Sequence, residues 1–320
     1  MRSRPASGRW KLVVAGLVLA LVAAGGIAGE SLWSGKDGAP AQVTRQLTNA
    51  GPSPSPRAVS PSRPPSEVAI IPAGRARIRV PILEYHYIRV NLNALDRLGF
   101  RLSVTPTDFQ AQMSWLAAND YHPVLLEDLR AYFLAGRSLP ARPVVLTFDD
   151  GYADFYQTAF PILRRLGFKA VAYLVPGFFG RPGYVDQEQV RQLDASGMVE
   201  IASHTVNHLD LTKVDASALN VQLQASKASL EQLLGHPVLH FCYPSGRFDR
   251  RVVAAVTAAG YQTATTEQSG TEHDWAGRLT WSRVRVDGGE NLREFEQRLG
   301  SSEAPTASTQ PFSDPGGPSP

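Results

Sequence analysis

The chain has 320 residues, a net charge of +3 and a single cysteine, Cys242. One cysteine excludes an intrachain disulfide framework and any zinc-finger spacing. The basic residues are spread along the chain, which excludes the concentrated patch of a nucleic-acid footprint.

At the N-terminus, Arg2, Arg4, Arg9 and Lys11 precede an uncharged apolar run from Leu12 to Gly29. This pattern predicts a signal peptide or an uncleaved membrane anchor over residues 1–30. The positive residues ahead of it put the rest of the chain on the extracellular side of the membrane, anchored or secreted. If the segment is not cleaved, the membrane is a partner. Residues 31–76, with "GPSPSPRAVSPSRPPS", are too poor in apolar residues to bury a core and read as a disordered linker. The tail, 301–320, has the same character. The folded domain is expected over 77–300, working as a monomer.

Inside those bounds strand-like and helix-like segments alternate. "RVPILEYHYI" reads as a strand. "TPTDFQAQMSWLAAN" reads as a helix, with Phe109, Met113 and Leu116 at helical spacing. "RPVVLTFDD" reads as a strand buried on both faces. "YADFYQTAFPILRRLGF" follows as a helix, with Pro161 as an expected kink. "KAVAYLVP" and "MVEIASH" are strands separated by the helix "DQEQVRQLDASG". A long helix runs from Asp215 to Leu234. "VLHFCYP" is a strand, "DRRVVAAVTAAG" a helix, "YQTATT" and "SRVRV" late strands, and "NLREFEQRLG" a closing helix. This alternation predicts an α/β fold with a parallel sheet. A barrel and an open doubly wound sheet both fit, and both gather working residues at the C-terminal ends of strands.

Four predicted strands end in polar residues. One ends in Asp149, Asp150 and Gly151, one in His204 and His208, one in "YPSG" (243–246) and one in His86. His204 and His208 stand four apart, which on a helical turn aims both imidazoles to one side. Two histidines and a carboxylate from another strand end make a common metal site with open positions. Of the two aspartates, one then binds the metal and the other stays free as a base. A simpler reading, in which one Asp caps the next helix, explains neither histidine.

"TFDDGY", "SHTVNH" and "FCYPSGRFD", in this order, resemble the motifs of the metal-dependent polysaccharide deacetylases, carbohydrate esterase family four. The resemblance covers about 81–299. It implies a distorted (β/α) barrel and metal-dependent hydrolysis of acetyl groups from an extracellular or cell-wall polysaccharide, with N-acetylglucosamine units as the leading substrate. It implies Asp149 as the base, and Asp150, His204 and His208 as metal ligands. It also implies the Ser245 backbone N–H as an oxyanion donor and a groove wall at Tyr243 and Pro244. Zinc is the first choice of metal, with Ni, Co or Fe also suited to these ligands. The chain departs from the pattern in having Cys242 where many members have Arg, and in lacking a late histidine as general acid. "PILEYHYI" resembles the opening motif of extracellular exopolysaccharide deacetylases, whose acid comes from this early strand, which implies His86 as the acid. Arg283 is a candidate charge partner for Asp149, with a strand-end salt bridge as the plain alternative. Phe178 and Tyr184, in "VPGFFGRPGY", are candidates for stacking on sugar rings, with loop packing as the plain alternative. An O-acetyl esterase of xylan-type chains and a non-catalytic carbohydrate-binding protein on the same fold are the rival functions.

Overall fold

The computed structural model describes residues 77–93 and 95–300. The predicted leader, linker and tail lie outside the described residues. Among those described, no helix is long and apolar enough to cross a membrane.

Seven strands form the frame: β1 (Ile82–Tyr85), β2 (Pro143–Phe148), β3 (Ala170–Leu174), β4 (Val199–Ser203), β5 (His240–Cys242), β6 (Thr263–Ser269) and β7 (Trp281–Arg285). Each lies beside the next in parallel, and β7 returns to β1, so the sheet closes into a barrel. Closure rests on two registers: Leu83 opposite Leu146 between β1 and β2, and Arg285 opposite Glu84 between β7 and β1. The barrel is distorted where β6 meets β7, because Thr265 faces Trp281 but Ser269 faces Arg283. Four residues on one strand span two on the other, a bulge that bends the wall.

Strand alternation sorts the side chains. Along β2, Val144, Leu146 and Phe148 pack outward in the large core under the helices. Val145 points to the barrel interior, with Ile82, Val171, Tyr173, Ala202, Cys242 and Trp281 in the same cluster. The lower interior is apolar. It is plugged by Leu126, Leu129 and Phe133 of a helix over Leu126–Ala135. That helix is absent from the sequence reading, although its apolar residues recur at i, i+3 and i+7. Its first N–H groups are bound by a barrel residue: Leu126 and Glu127 donate to Glu200 on β4. The next interior layer upward is polar, with Glu84, Thr147, Thr265 and Arg283 all buried.

The outer helices largely follow the predicted spans. They cover Pro106–Ala118, Gln187–Ala195, Ala216–Leu234, Arg250–Ala258 and Leu292–Gly300, and a short helix over Arg97–Leu102 is added. Two expectations are corrected. "RVPILEYHYI" is not one strand: β1 stops at Tyr85, and Tyr87–Ile88 pairs instead with Ser103–Val104. The predicted kink at Pro161 falls earlier. A π-turn over Phe155–Ala159 precedes an α-helix over Phe160–Leu166 that holds Pro161 in its first turn. Proline has no N–H to return to the preceding turn, so it sits where a new helical segment starts.

Candidate active site

The C-terminal ends of the strands converge over the polar layer. Asp149 follows β2, and its N–H donates to the Tyr85 carbonyl at 3.0 Å. The chain then reverses sharply, with Asp150 at φ 71° and Gly151 at φ 76°. A side chain at Gly151 would strain this turn and press on Leu174, 3.1 Å from the position of its Cβ. The reversal leaves both carboxylates buried, Asp149 3% and Asp150 8% exposed.

His204 follows β4 and His208 lies in the loop beyond. The expected helical turn between them is absent. Thr205 and His208 are left-handed, at φ 67° and 55°, and the Thr205 hydroxyl accepts the His208 N–H at 2.9 Å. Buried Gln222, from the Ala216–Leu234 helix, accepts the N–H groups of Val206 and Asn207. The two imidazoles still meet, 4.8 Å between centroids, because this loop folds back on itself. Asp150, Thr205, His208 and Ser245 are four of the six non-glycine residues with positive φ among the described residues. Such backbone strain costs about 1–3 kcal/mol per residue and persists where surrounding structure enforces it, commonly at functional sites.

His204 Nδ1 is 2.8 Å from the Cys242 carbonyl oxygen. A carbonyl only accepts, so Nδ1 carries the proton and Nε2 presents a lone pair. Burial pushes the His204 pKa down to about 4, which keeps the ring neutral near pH 7. Asp150 Oδ1 lies 3.5 Å from His204 Nε2 and 3.3 Å from His208 Nε2. That oxygen is buried and has no hydrogen-bond partner. Lone pairs of a carboxylate and an imidazole facing each other at this range repel unless a cation lies between them. Asp150, His204 and His208 therefore fit a divalent metal, and their His/carboxylate set suits zinc, nickel, cobalt or iron.

Asp149 belongs to two other groupings with ligand-like spacing, one with His204 and Cys242 and one with Glu84 and His86. Both of its oxygens are already engaged. Arg283 Nη1 donates to Oδ1 and Nη2 to Oδ2, each at 2.8 Å. A cation at Asp149 would sit against this guanidinium, so the Asp150 set is the better fit. Arg283 is 1% exposed and also donates to the Thr266 carbonyl and the Thr147 hydroxyl. It is a buried interior residue, not a strand-end surface pair. Burial alone would raise the Asp149 pKa, but the charge and hydrogen bonds of Arg283 outweigh it and hold the carboxyl well below the usual range. Cys242, in the position where Arg is common, places its thiol 3.6 Å from Asp149 Oδ2.

His86 lies just past β1, with Nδ1 3.9 Å from Glu84 Oε1. Ser245 is exposed at the tip of a turn over Pro244–Gly246, with φ 53°. Tyr243 and Pro244 are buried. The Tyr243 hydroxyl donates to the Leu279 carbonyl, so this aromatic is core and Ser245 is what reaches the surface there. Phe178 and Tyr184 pack together at 4.9 Å. Tyr184 continues to Tyr152 at 5.2 Å, and Tyr152 stacks on Tyr87 at 3.6 Å. Tyr87 and Tyr152 were missed in the sequence, although both adjoin a singled-out residue. Glu84 was missed too, and an acidic residue inside "PILEYH" was the available signal.

Residues 136–264 match the family model described as polysaccharide deacetylase. YxkH of Bacillus subtilis (strain 168), which carries the polysaccharide deacetylase name, is 29% identical over 211 residues, covering 66% of this chain and 72% of that protein. The poly-beta-1,6-N-acetyl-D-glucosamine N-deacetylase of Escherichia coli (strain K12) is 38% identical over 121 residues, but these are 33% of this chain and only 18% of that one. The structure of the Streptococcus pyogenes deacetylase PplD in complex with acetate superposes with a TM-score of 0.63 at 27% identity, covering 69% of this chain and 98% of that one. Motif match, relatives and barrel agree on a polysaccharide deacetylase domain over residues 136–264, a hydrolase of carbon–nitrogen bonds other than peptide bonds.

Proposed function

We propose that the chain is a metal-dependent deacetylase that removes N-acetyl groups from an N-acetylglucosamine-containing polysaccharide on the extracellular side of the cell membrane, releasing acetate. The observation that carries this reading is the division between the two aspartates. Asp150 Oδ1 faces the Nε2 atoms of His204 and His208, while Asp149 is held ionised by Arg283. The name of the E. coli relative supports the substrate class. The basic and apolar N-terminus supports the location.

Asp150, His204 and His208 would hold the metal, most simply zinc. A divalent cation there supplies Lewis-acid polarisation of the acetyl carbonyl and a water of lowered pKa. Asp149 takes the proton of the attacking water. A carboxylate held this acidic is a weak base, so it suits only a water that is itself acidified. The Ser245 N–H donates to the oxyanion that develops on the carbonyl oxygen as water adds to the carbonyl carbon. His86 gives a proton to the sugar nitrogen as the carbon–nitrogen bond breaks. The ring strip from Tyr87 to Phe178 offers faces for sugar rings.

Acetate release from N-acetylglucosamine polymers, chitin oligomers, peptidoglycan and acetylated xylan, with and without chelator, tests this reading. Chelator-sensitive release from the N-acetylated chains is expected. Release from xylan alone would make the protein an O-acetyl esterase, and no release from any of them would make it a binding protein. Asp149→Asn is expected to keep its metal and lose about 10²–10⁴-fold in rate. Full activity in a metal-loaded Asp149→Asn protein would remove the base assignment.

A further inference from the structure

The buried face of the Ala216–Leu234 helix carries Leu219, Gln222, Leu223, Ser226 and Leu230. Two of these five are polar. A polar side chain in a core-facing stripe is costly unless it is hydrogen-bonded, so its partners show why it is there. Both point to one segment. The Ser226 hydroxyl meets the Ser203 hydroxyl at 2.8 Å, and Ser203 is the residue before His204. Gln222 Oε1 accepts the Val206 N–H at 3.1 Å and the Asn207 N–H at 2.9 Å. One turn of helix therefore reaches both the start and the middle of the segment that carries His204 and His208.

That segment needs holding. Thr205 and His208 are left-handed, a strained backbone that persists only where its surroundings enforce it. The Val206 N–H belongs to the peptide plane after Thr205, and the Asn207 N–H to the next plane. One acceptor bound to both fixes two successive planes between the two histidines. From the other side, the Gly177 N–H donates to the Val206 carbonyl at 2.9 Å. A Cβ at Gly177 would lie 2.3 Å from that oxygen, so the approach leaves no room for a side chain. The loop is gripped between Gln222 and Gly177. The His204 ring has its own anchor in the Cys242 carbonyl. The His208 ring is partly exposed, and the backbone of this loop places its Nε2 3.3 Å from Asp150 Oδ1.

We infer that Gln222 is a positioning residue for His208: its amide oxygen holds the loop in the shape that aims this imidazole at Asp150, and so sets the affinity for the metal. This rests on the reading of Asp150, His204 and His208 as the ligands. Gln222 touches neither ion nor substrate and acts through the backbone alone.

Zinc affinity of the full-length protein, measured by competition with a chromophoric chelator, tests the inference. Gln222→Met keeps most of the side-chain length and removes the acceptor. It is expected to weaken zinc binding by about tenfold or more, within the range of about 10–100-fold for residues that orient metal ligands. Gln222→Glu keeps an acceptor oxygen and should bind zinc no more than about threefold more weakly than the parent. Melting gives a second readout. A tenfold weaker Kd removes about 1.4 kcal/mol of the stabilisation by saturating zinc, so the zinc-induced rise in midpoint should shrink by about 3–6 °C in Gln222→Met. Leu230→Ala, on the same helix face, supplies the comparison. It should lower the midpoint equally with and without zinc and keep the parent's Kd. Parent-like affinity in Gln222→Met, with the same loss of stability in the zinc-free and zinc-loaded forms, would overturn the inference and leave Gln222 a structural residue. Equal weakening in Gln222→Glu would overturn it too, because the acceptor would not be the cause. Should Gln222→Met not fold, Gln222→Asn draws the acceptor back by one methylene and must show the same weakening; an unchanged Kd there would count against Gln222. If His204→Ala binds zinc as tightly as the parent, the ligand set itself fails, and the role of Gln222 with it. If His204→Ala loses zinc and Gln222→Met does not, only the role of Gln222 fails.

Discussion

Arg283→Met removes the one buried cation between Glu84 and Asp149 while keeping much of the side-chain length. The parent guanidinium makes two 2.8 Å bonds to Asp149, a bond to the Thr147 hydroxyl and one to the Thr266 carbonyl, and an ion pair with Glu84 at 3.2 Å. The variant leaves two buried carboxylates without that partner. Breaking one buried pair by deleting one member costs about 3–5 kcal/mol, because the remaining charge stays desolvated. A domain of this size moves by about 2–4 °C per kcal/mol, so the midpoint should fall by about 6–20 °C. Thermal melting followed by circular dichroism at pH 7, with chelator in both samples, measures this. Arg283→Lys keeps the charge but loses the planar fork, and should recover only part of the loss. A midpoint for Arg283→Met within about 2 °C of the parent would refute the argument, since that is less than 1 kcal/mol. It would show that Glu84 and Asp149 do not depend on Arg283 for their charge balance.

His204→Ala should abolish stoichiometric metal binding, because it removes one of three ligands; unchanged metal by elemental analysis would dismiss the ligand set. Ser245→Gly relieves a left-handed residue at φ 53° and keeps the backbone N–H, so it should raise stability by about 1 kcal/mol and retain most of kcat. A loss of about a hundredfold in Ser245→Gly would mean that the hydroxyl, not the N–H, does the work. His273 is 2% exposed, and its Nε2 donates to the Val80 carbonyl at 2.9 Å. Burial takes its pKa from 6.5 down to about 4, so the unfolded chain binds the proton first as pH falls. Stability should be constant above about pH 6.5 and fall between there and pH 4, by about 3 kcal/mol for a shift of this size. Comparing the melting points of the parent and His273→Gln across that interval isolates this part. A difference that does not change with pH would contradict it.

Much of the site could be read from local sequence because strand ends are local. "TFDDGY" carries its own turn, and the rule that parallel strands end on one face brings its two aspartates to the two histidines; the choice of Asp150 as the ligand came from the family resemblance. The contact between Asp149 and Arg283 joins residues 134 apart in sequence. It was proposed from resemblance and charge, but that Arg283 is buried in the interior could not be. Burial depends on the closure of β7 onto β1, and no local pattern records it. The helix over Leu126–Ala135 escaped for a related reason. Its apolar face is read only when there is a barrel mouth to plug. Tyr243 was taken for a groove wall because its motif is functional elsewhere along its length. Packing against Phe241 and Phe248 makes it core.

By itself the sequence determined the α/β alternation, the strand ends that carry chemistry and the candidate residues for a metal site. These follow from hydrophobic periodicity, β-branched runs and short spacings, all of which act over a few residues. Tertiary structure alone decided between barrel and open sheet, because both share the same local alternation and differ only in whether β1 hydrogen-bonds to both β2 and β7. It also decided that Arg283 fills the interior beneath Asp149, that a looped rather than helical backbone brings His204 and His208 together, and that Glu84 lies buried between Arg283 and His86. Each of these is a question of which distant side chains share one desolvated space, and that is fixed only when the sheet closes.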